Sequence, residues 1–238
     1  MTSIKGMSMN ANGCVPKDLN RKWKISSKRN YIRQDIISTY EPDLIFLQDS
    51  DILLRNICTW DFSPKNYQSV GDKAAGILFD TSTFTLCMDE DPKANIRRLY
   101  EFITIGKKND LNSEILSRME AVILQTKGPS KKKFLCISFH GQNKLKNEKK
   151  IKIFKDFKSL ITRYSSNKNI PVVIGGDFNL DLSMLSQQEF TELLLIDYSK
   201  LEHRHKKIDY VLTSAAVASR KHSCEPIDVL RVYRKQFS

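Results

Sequence analysis

The sequence predicts an α/β sandwich, sheet layers covered by helices. Three observations carry that reading. Short apolar runs rich in β-branched and aromatic residues recur along the chain, bounded by turn residues or charge. They outnumber the helical periods, and the helices are interleaved with them. The 238 residues are enough for one large domain with a sizeable core, and hydrophobic residues make up 40%.

Strand-like runs are read at 43–48, 75–79, 99–105, 119–126, 133–139, 170–175, 208–213 and 227–233. Helical periods are read at 28–40, 147–164 and 186–196. In the second, Ile151, Phe154, Phe157, Leu160 and Ile161 recur at three- and four-residue spacing, with lysines opposite. Asn147 and Ser165–Asn167 mark its ends. Stretches 106–114 and 127–133 read as exposed loops or a hairpin turn, and neither as a domain boundary. One domain over 1–238 is expected, as a monomer.

The formal net charge is +12, which favours polyanionic partners: nucleic acid, phosphorylated substrates or an anionic surface. A protein that is simply lysine-rich would have the same balance. The five cysteines are scattered and form no C-x-x-C pair, which argues against a disulfide framework or zinc site and for a reducing compartment. The start has no apolar h-region, and no run reaches the ~20 apolar residues of a membrane helix. The expected location is therefore intracellular, cytoplasmic or nuclear, with no transmembrane segment.

The most informative segment is 170–181, Ile-Pro-Val-Val-Ile-Gly-Gly-Asp-Phe-Asn-Leu-Asp. An apolar strand runs into two glycines and then delivers Asp177 and Asn179 to a sheet edge. Asp177 could orient or deprotonate a water, and Asn179 could donate to a phosphate oxygen. A tight turn alone would use the same residue types.

This run resembles the Gly-Asp-Phe-Asn motif of the endonuclease/exonuclease/phosphatase superfamily, and further segments resemble that family in its own order. Ser8-Met9-Asn10-Ala11-Asn12-Gly13 is similar to its first-strand motif. Asp43-Leu44-Ile45-Phe46-Leu47-Gln48-Asp49 is similar to its second. Ala75–Phe79, Arg118 with the run 121–124, Phe139-His140 and Lys207-Ile208-Asp209-Tyr210-Val211-Leu212 follow.

The resemblance implies a deoxyribonuclease-like, four-layer sandwich of two mixed, mainly antiparallel sheets flanked by helices. It also implies a Mg2+-dependent (alternatively Mn2+-dependent) phosphoesterase, most of all a nuclease-like phosphodiesterase acting on nucleic acid or another phosphorylated substrate. Asn10 and Asp49 would bind metal. His140, Asp177, Asn179 and Asp209 would be catalytic, with His140 aiding the leaving group and Asp209 supporting. Arg118 and Asn12 would contact substrate.

Two departures stand against the pattern. The family's metal-binding glutamate is Asp49 here, one methylene shorter, and Asp51 is a candidate to compensate or else a helix cap. The family's terminal Asp-His pair is absent after Asp209-Tyr210. His203, His205 and His222 read as surface or loop residues. Either the sequence stops short of that motif, or the protein binds without cutting. A polyanion-binding pseudoenzyme is therefore the alternative, and the resemblance also admits a weaker one, an inositol- or lipid-phosphate phosphoesterase, since the family includes such enzymes. Lys131–Lys133, Lys144, Lys146, Lys149, Lys150 and Lys152 flank the His140 strand, as a phosphate grip or as a solvated helix face.

Overall fold

The structure is a computed structural model. It describes residues 4–11, 31–49, 60–62, 65–72, 74–103, 115–181, 185, 193–195 and 209–214. Eleven strands among these form two sheets. The first has the order β1-β2-β5-β4-β3: β1 (Gly6–Asn10), β2 (Leu44–Gln48), β3 (Trp60–Phe62), β4 (Lys65–Gly71) and β5 (Ala75–Asp80). The second has the order β10-β11-β9-β8-β7-β6: β6 (Phe84–Leu86), β7 (Met119–Thr126), β8 (Lys133–His140), β9 (Val172–Asp177), β10 (Leu193–Leu195) and β11 (Asp209–Ser214). Helix α1 spans Pro92–Ile103 and α2 spans Asn147–Lys168.

Each sheet contains one parallel pair, β1 with β2 and β8 with β9; every other pairing is antiparallel. Strand alternation then sorts the side chains by face. Leu135, Ile137, Phe139, Val172 and Ile174 turn to one side of the second sheet. There they join Ile153, Phe154, Phe157, Leu160, Ile161 and Tyr164 of α2 and Ile96 and Tyr100 of α1 in one core. Leu44, Phe46, Ile77, Phe79, Val122, Leu124 and Cys136 fill the layer between the sheets. Met7, Met9, Ile45 and Leu47 are buried on the far face of the first sheet.

Helix α2 starts at Asn147, as the sequence suggests, and runs past the expected stop to Lys168. Asn169 ends it in the left-handed conformation, its N–H donating to the carbonyls of Ser165 and Ser166. The 127–133 segment is the β7–β8 hairpin turn. The period at 28–40 is helical where described, with π geometry over Tyr31–Ile37 and α geometry over Ser38–Tyr40.

Two expectations are corrected. The run 99–105 is no strand: through Ile103 it is the second half of α1. Asp91 caps that helix, its Oδ1 accepting the Ala94 N–H at 2.9 Å, and Pro92 occupies the first helical position. The end of the expected 186–196 helix is strand β10, paired antiparallel with β11. A short apolar run suits either element, and an open sheet edge decided it. Stretch 106–114, strand 227–233, Asn12, Asp51, His203, His205 and His222 lie outside the described residues. Among the described residues, no helix is long and apolar enough to cross a membrane.

The closeness of the two sheets is visible at Gly175, where an added Cβ would fall on the Phe46 ring of the opposite sheet. Gly175→Ala is expected to cost about 1–3 kcal/mol of stability. Phe46→Leu in the same chain should recover part of it, read as denaturant midpoints. An undiminished midpoint in Gly175→Ala would contradict this packing.

Candidate active site

Strand direction brings the polar residues together. β1 and β2 both run toward Asn10 and Gln48, and β8 and β9 both run toward His140 and Asp177. The antiparallel neighbours β5, β7 and β11 begin at that same edge. Clefts beyond the C-terminal ends of parallel strands are the usual ligand sites of open α/β sheets.

Across the gap, the Asn10 side-chain amide donates to Asp177 Oδ2 at 2.8 Å. His140 Nδ1 lies 3.3 Å from an Asp49 carboxylate oxygen, an ion-pair distance that lacks the alignment of a hydrogen bond. Asp177 Oδ1 accepts the Asn179 backbone N–H at 2.9 Å, an Asx-turn. The Asn179 side-chain amide donates to the Gly141 carbonyl at 3.0 Å. His140 and Asp177 are register partners, and Asp209 is the register partner of Asp177 on its other side. The structure thus brings together Asn10, Asp49, His140, Asp177 and Asn179, with the backbone of Asp209 beside them.

The Gly-Asp-Phe-Asn run is held by its middle residue. Phe178 points into the helix-side core, 5.4 Å from the Phe139 ring and 5.7 Å from that of Phe154. Strand alternation then leaves Asp177 on the inter-sheet face. Gly141 passes so close to the Phe178 backbone that a Cβ there would overlap its carbonyl. Asp49 (φ 50°) and Asn179 (φ 50°) both sit in the left-handed region just past their strands. Asp and Asn tolerate that region best, and strained backbone of this kind gathers at functional sites.

Arg118, at the start of β7, donates from its guanidinium to the carbonyls of His140 and Gly141. Its charge therefore lies at the site while its donors brace the β8 end. Lys150, in the first turn of α2, donates to the Asn179 carbonyl at 2.8 Å. Lys131–Lys133 lie at the opposite end of β8 from His140, roughly 23 Å away at about 3.3 Å per residue. The basic cluster is thus divided, and only its 144–150 part follows the site-bearing end.

Sequence reading missed several groups. Gln48 is fully buried, and its Nε2 donates to Ser138 Oγ at 3.1 Å; that hydroxyl in turn donates to the Leu47 carbonyl at 2.7 Å. The Ala74 carbonyl accepts the Asp49 N–H at 3.1 Å and lies near enough to the His140 ring to favour its protonation. The available signal was a lone Gln and a lone Ser inside apolar strands.

Burial pushes the His140 imidazole below its ordinary value. Arg118 adds to that shift, while Asp49, Asp177 and the Ala74 carbonyl oppose it. Among the described residues no three His, Cys, Asp or Glu side chains form a ready cation cluster. The donors at hand are instead an amide and two carboxylates in a small set. That suits a hard cation which keeps its waters and does not suit a closed tetrahedral site.

The depressed His140 value has a pH consequence. On acidification the unfolded chain takes up the proton before the folded one. The histidine's penalty is therefore absent well above ~6.5 and grows as the pH falls below it. Between neutral and mildly acidic pH, the wild type should lose more unfolding free energy than His140→Gln. Parallel pH profiles in denaturant titrations would contradict the burial described here.

No family model and no curated protein sequence matches the chain. Solved structures do. An endonuclease/exonuclease/phosphatase family protein from Bacteroides thetaiotaomicron superimposes with TM-score 0.58 at 16% identity, covering 90% of this chain and 84% of that one. A mannosyl-6-phosphatase from the same bacterium gives 0.57 at 15%, covering 90% and 86%. The human Nocturnin catalytic domain with bound sulfate gives 0.55 at 15%, covering 89% and 83%. At these identities the likeness is one of fold.

Proposed function

We propose that this chain, which has the endonuclease/exonuclease/phosphatase fold, is a divalent-metal-dependent phosphoesterase, and within that class a nuclease-like phosphodiesterase. The observation that carries the reading is the meeting of Asn10, Asp49, His140, Asp177 and Asn179 at one edge between the sheets. Four of these residues come from the ends of four different strands or the position just beyond, and Asn179 from the turn after Asp177.

Asp177 is the water-positioning residue. Asn10 and the Asn179 N–H occupy one lone pair on each of its oxygens, which fixes the carboxylate and leaves acceptor capacity for an attacking water. Held by its ring contacts, His140 faces the same gap. Its ring N–H can donate a hydrogen bond to a phosphate or leaving oxygen. A bound phosphate's negative charge would raise its proton affinity in turn. Asn179 is proposed to hold a phosphate oxygen, Arg118 and Asn12 to contact the substrate, and Asp209 to support Asp177. The Asn10 amide oxygen and the Asp49 carboxylate would hold Mg2+ or Mn2+, whose charge would polarise a phosphoryl oxygen. The +12 net charge and the exposed Lys144, Lys146 and Lys149 near the His140 end support a polyanionic substrate.

A second reading is a polyanion binder that does not cut. It is favoured by Asp49, whose short side chain lies against His140. One experiment separates the two. Purified protein is assayed with Mg2+ or Mn2+ on DNA, RNA and bis(p-nitrophenyl) phosphate, with chelator controls. The expected result is metal-dependent hydrolysis that Asp177→Ala lowers by roughly 10²–10⁴-fold. Salt-sensitive binding of DNA or RNA with no hydrolysis under either ion would favour the second reading and sink the first.

A further inference from the structure

Glu120 is a buried carboxylate that the chemistry above does not use. It sits on β7 opposite Ser138, on the inter-sheet face one residue pair inward from the His140 end. Its side chain is 10% exposed, and Lys93 Nζ donates to its Oε2 at 3.0 Å. Burial raises its proton affinity and the Lys93 charge opposes that rise. A buried ion pair is weak evidence of stabilisation, since its desolvation offsets most of its attraction. The placement of this pair points to another use.

Lys93 also lies 3.6 Å from Asp72 Oδ2, on the turn between β4 and β5. Asp72 shapes that turn: its Oδ1 accepts the Ala74 N–H at 3.0 Å, and its own N–H donates to the Ala75 carbonyl at 3.0 Å. The Ala74 carbonyl accepts the Asp49 N–H, and Asp49 in turn lies 3.3 Å from the His140 ring. Lys93 thus spans the gap between a carboxylate of one sheet and the turn of the other, beside the contacts that bridge the same gap at the site.

We infer that Lys93 is a positioning residue: anchored on Glu120, it holds the β4–β5 turn through Asp72, and so sets where the Ala74 carbonyl places Asp49 against His140. The exposed Lys93–Asp72 contact contributes little energy by itself. Its effect is geometric. In a site assembled across two sheets, an error of about 1 Å can cost on the order of 10²-fold in rate.

The consequence for turnover rests on the phosphoesterase reading; the consequence for geometry does not. The test compares Lys93→Arg with two paired variants, Lys93→Met/Glu120→Leu and Lys93→Met/Glu120→Gln. Both pairs avoid leaving a charged carboxylate buried alone, and the glutamine pair keeps the volume and polarity of Glu120. The direct readout is the 1H–15N spectrum of the full chain, with the His140 ring signals assigned by their loss in His140→Gln. The His140 ring and Asp49 amide signals should move in the paired variants and stay near wild type in Lys93→Arg. Hydrolytic kcat should fall about 10- to 100-fold in the paired variants, with KM changed less than about twofold. A folded paired variant whose His140 and Asp49 signals coincide with wild type would overturn the inference. A wild type that hydrolyses nothing would remove the phosphoesterase reading alone, since the spectra still decide the role of Lys93.

Discussion

The hydrogen bond from the Asn10 amide to the Asp177 carboxylate, 2.8 Å long, joins residues 167 apart in the chain and belongs to two different sheets. It forms only if the sheets meet face to face with the right strand ends at one edge. The parallel pairs β1–β2 and β8–β9 meet that condition, because each ends two adjacent strands at the same level. Register sharpens it further. A one-residue slip of β9 would send Asp177 into the helix-side core and turn Phe178 into the gap.

Beneath this edge the sheets are fastened by Phe46, Phe79 and their apolar neighbours, and above that layer the contents turn polar. Buried Gln48 and Ser138 come first, then His140 and Asp177. Each costs desolvation, offset in part by specific partners: Ser138 for Gln48, the Leu47 carbonyl for Ser138, and the Asn10 amide and Asn179 N–H for Asp177, while Gln48 Oε1 and His140 Nδ1 are left without a hydrogen bond. The left-handed backbone at Asp49 and Asn179 adds strain at the same place. Buried polar side chains thus meet at one sheet edge over an otherwise ordinary core, the make-up expected of the proposed site.

The fold was largely legible in the sequence because its strands are short apolar runs with clear punctuation and α2 carries an unbroken apolar stripe. The family resemblance holds at the level of fold, although no sequence comparison reaches it. The α1 helix was misread because Leu99, Tyr100 and Phe102 look strand-like while its real signal, Asp91-Pro92, lies earlier. Strand β10 was misread because three leucines carry no period of their own. At the site, residue types were legible and partners were not. That Arg118 braces two carbonyls, that Lys150 serves Asn179, and that Lys131–Lys133 sit at the far end of β8 all follow from strand direction and three-dimensional neighbours. No local pattern encodes those.

The proposed function requires that the cleft shared by the five polar side chains can seat a divalent cation. Paramagnetic broadening by Mn2+ tests it without requiring turnover. In a 1H–15N spectrum of the full chain, substoichiometric Mn2+ should broaden first the amides of Asn10, Ala11, Asp49, Gly141 and Asp177–Asn179. Asp49→Ala should weaken that pattern, and Mg2+ should compete with it. Broadening centred on a different acidic surface, such as Asp89–Asp91, with the strand-end amides untouched, would contradict the account.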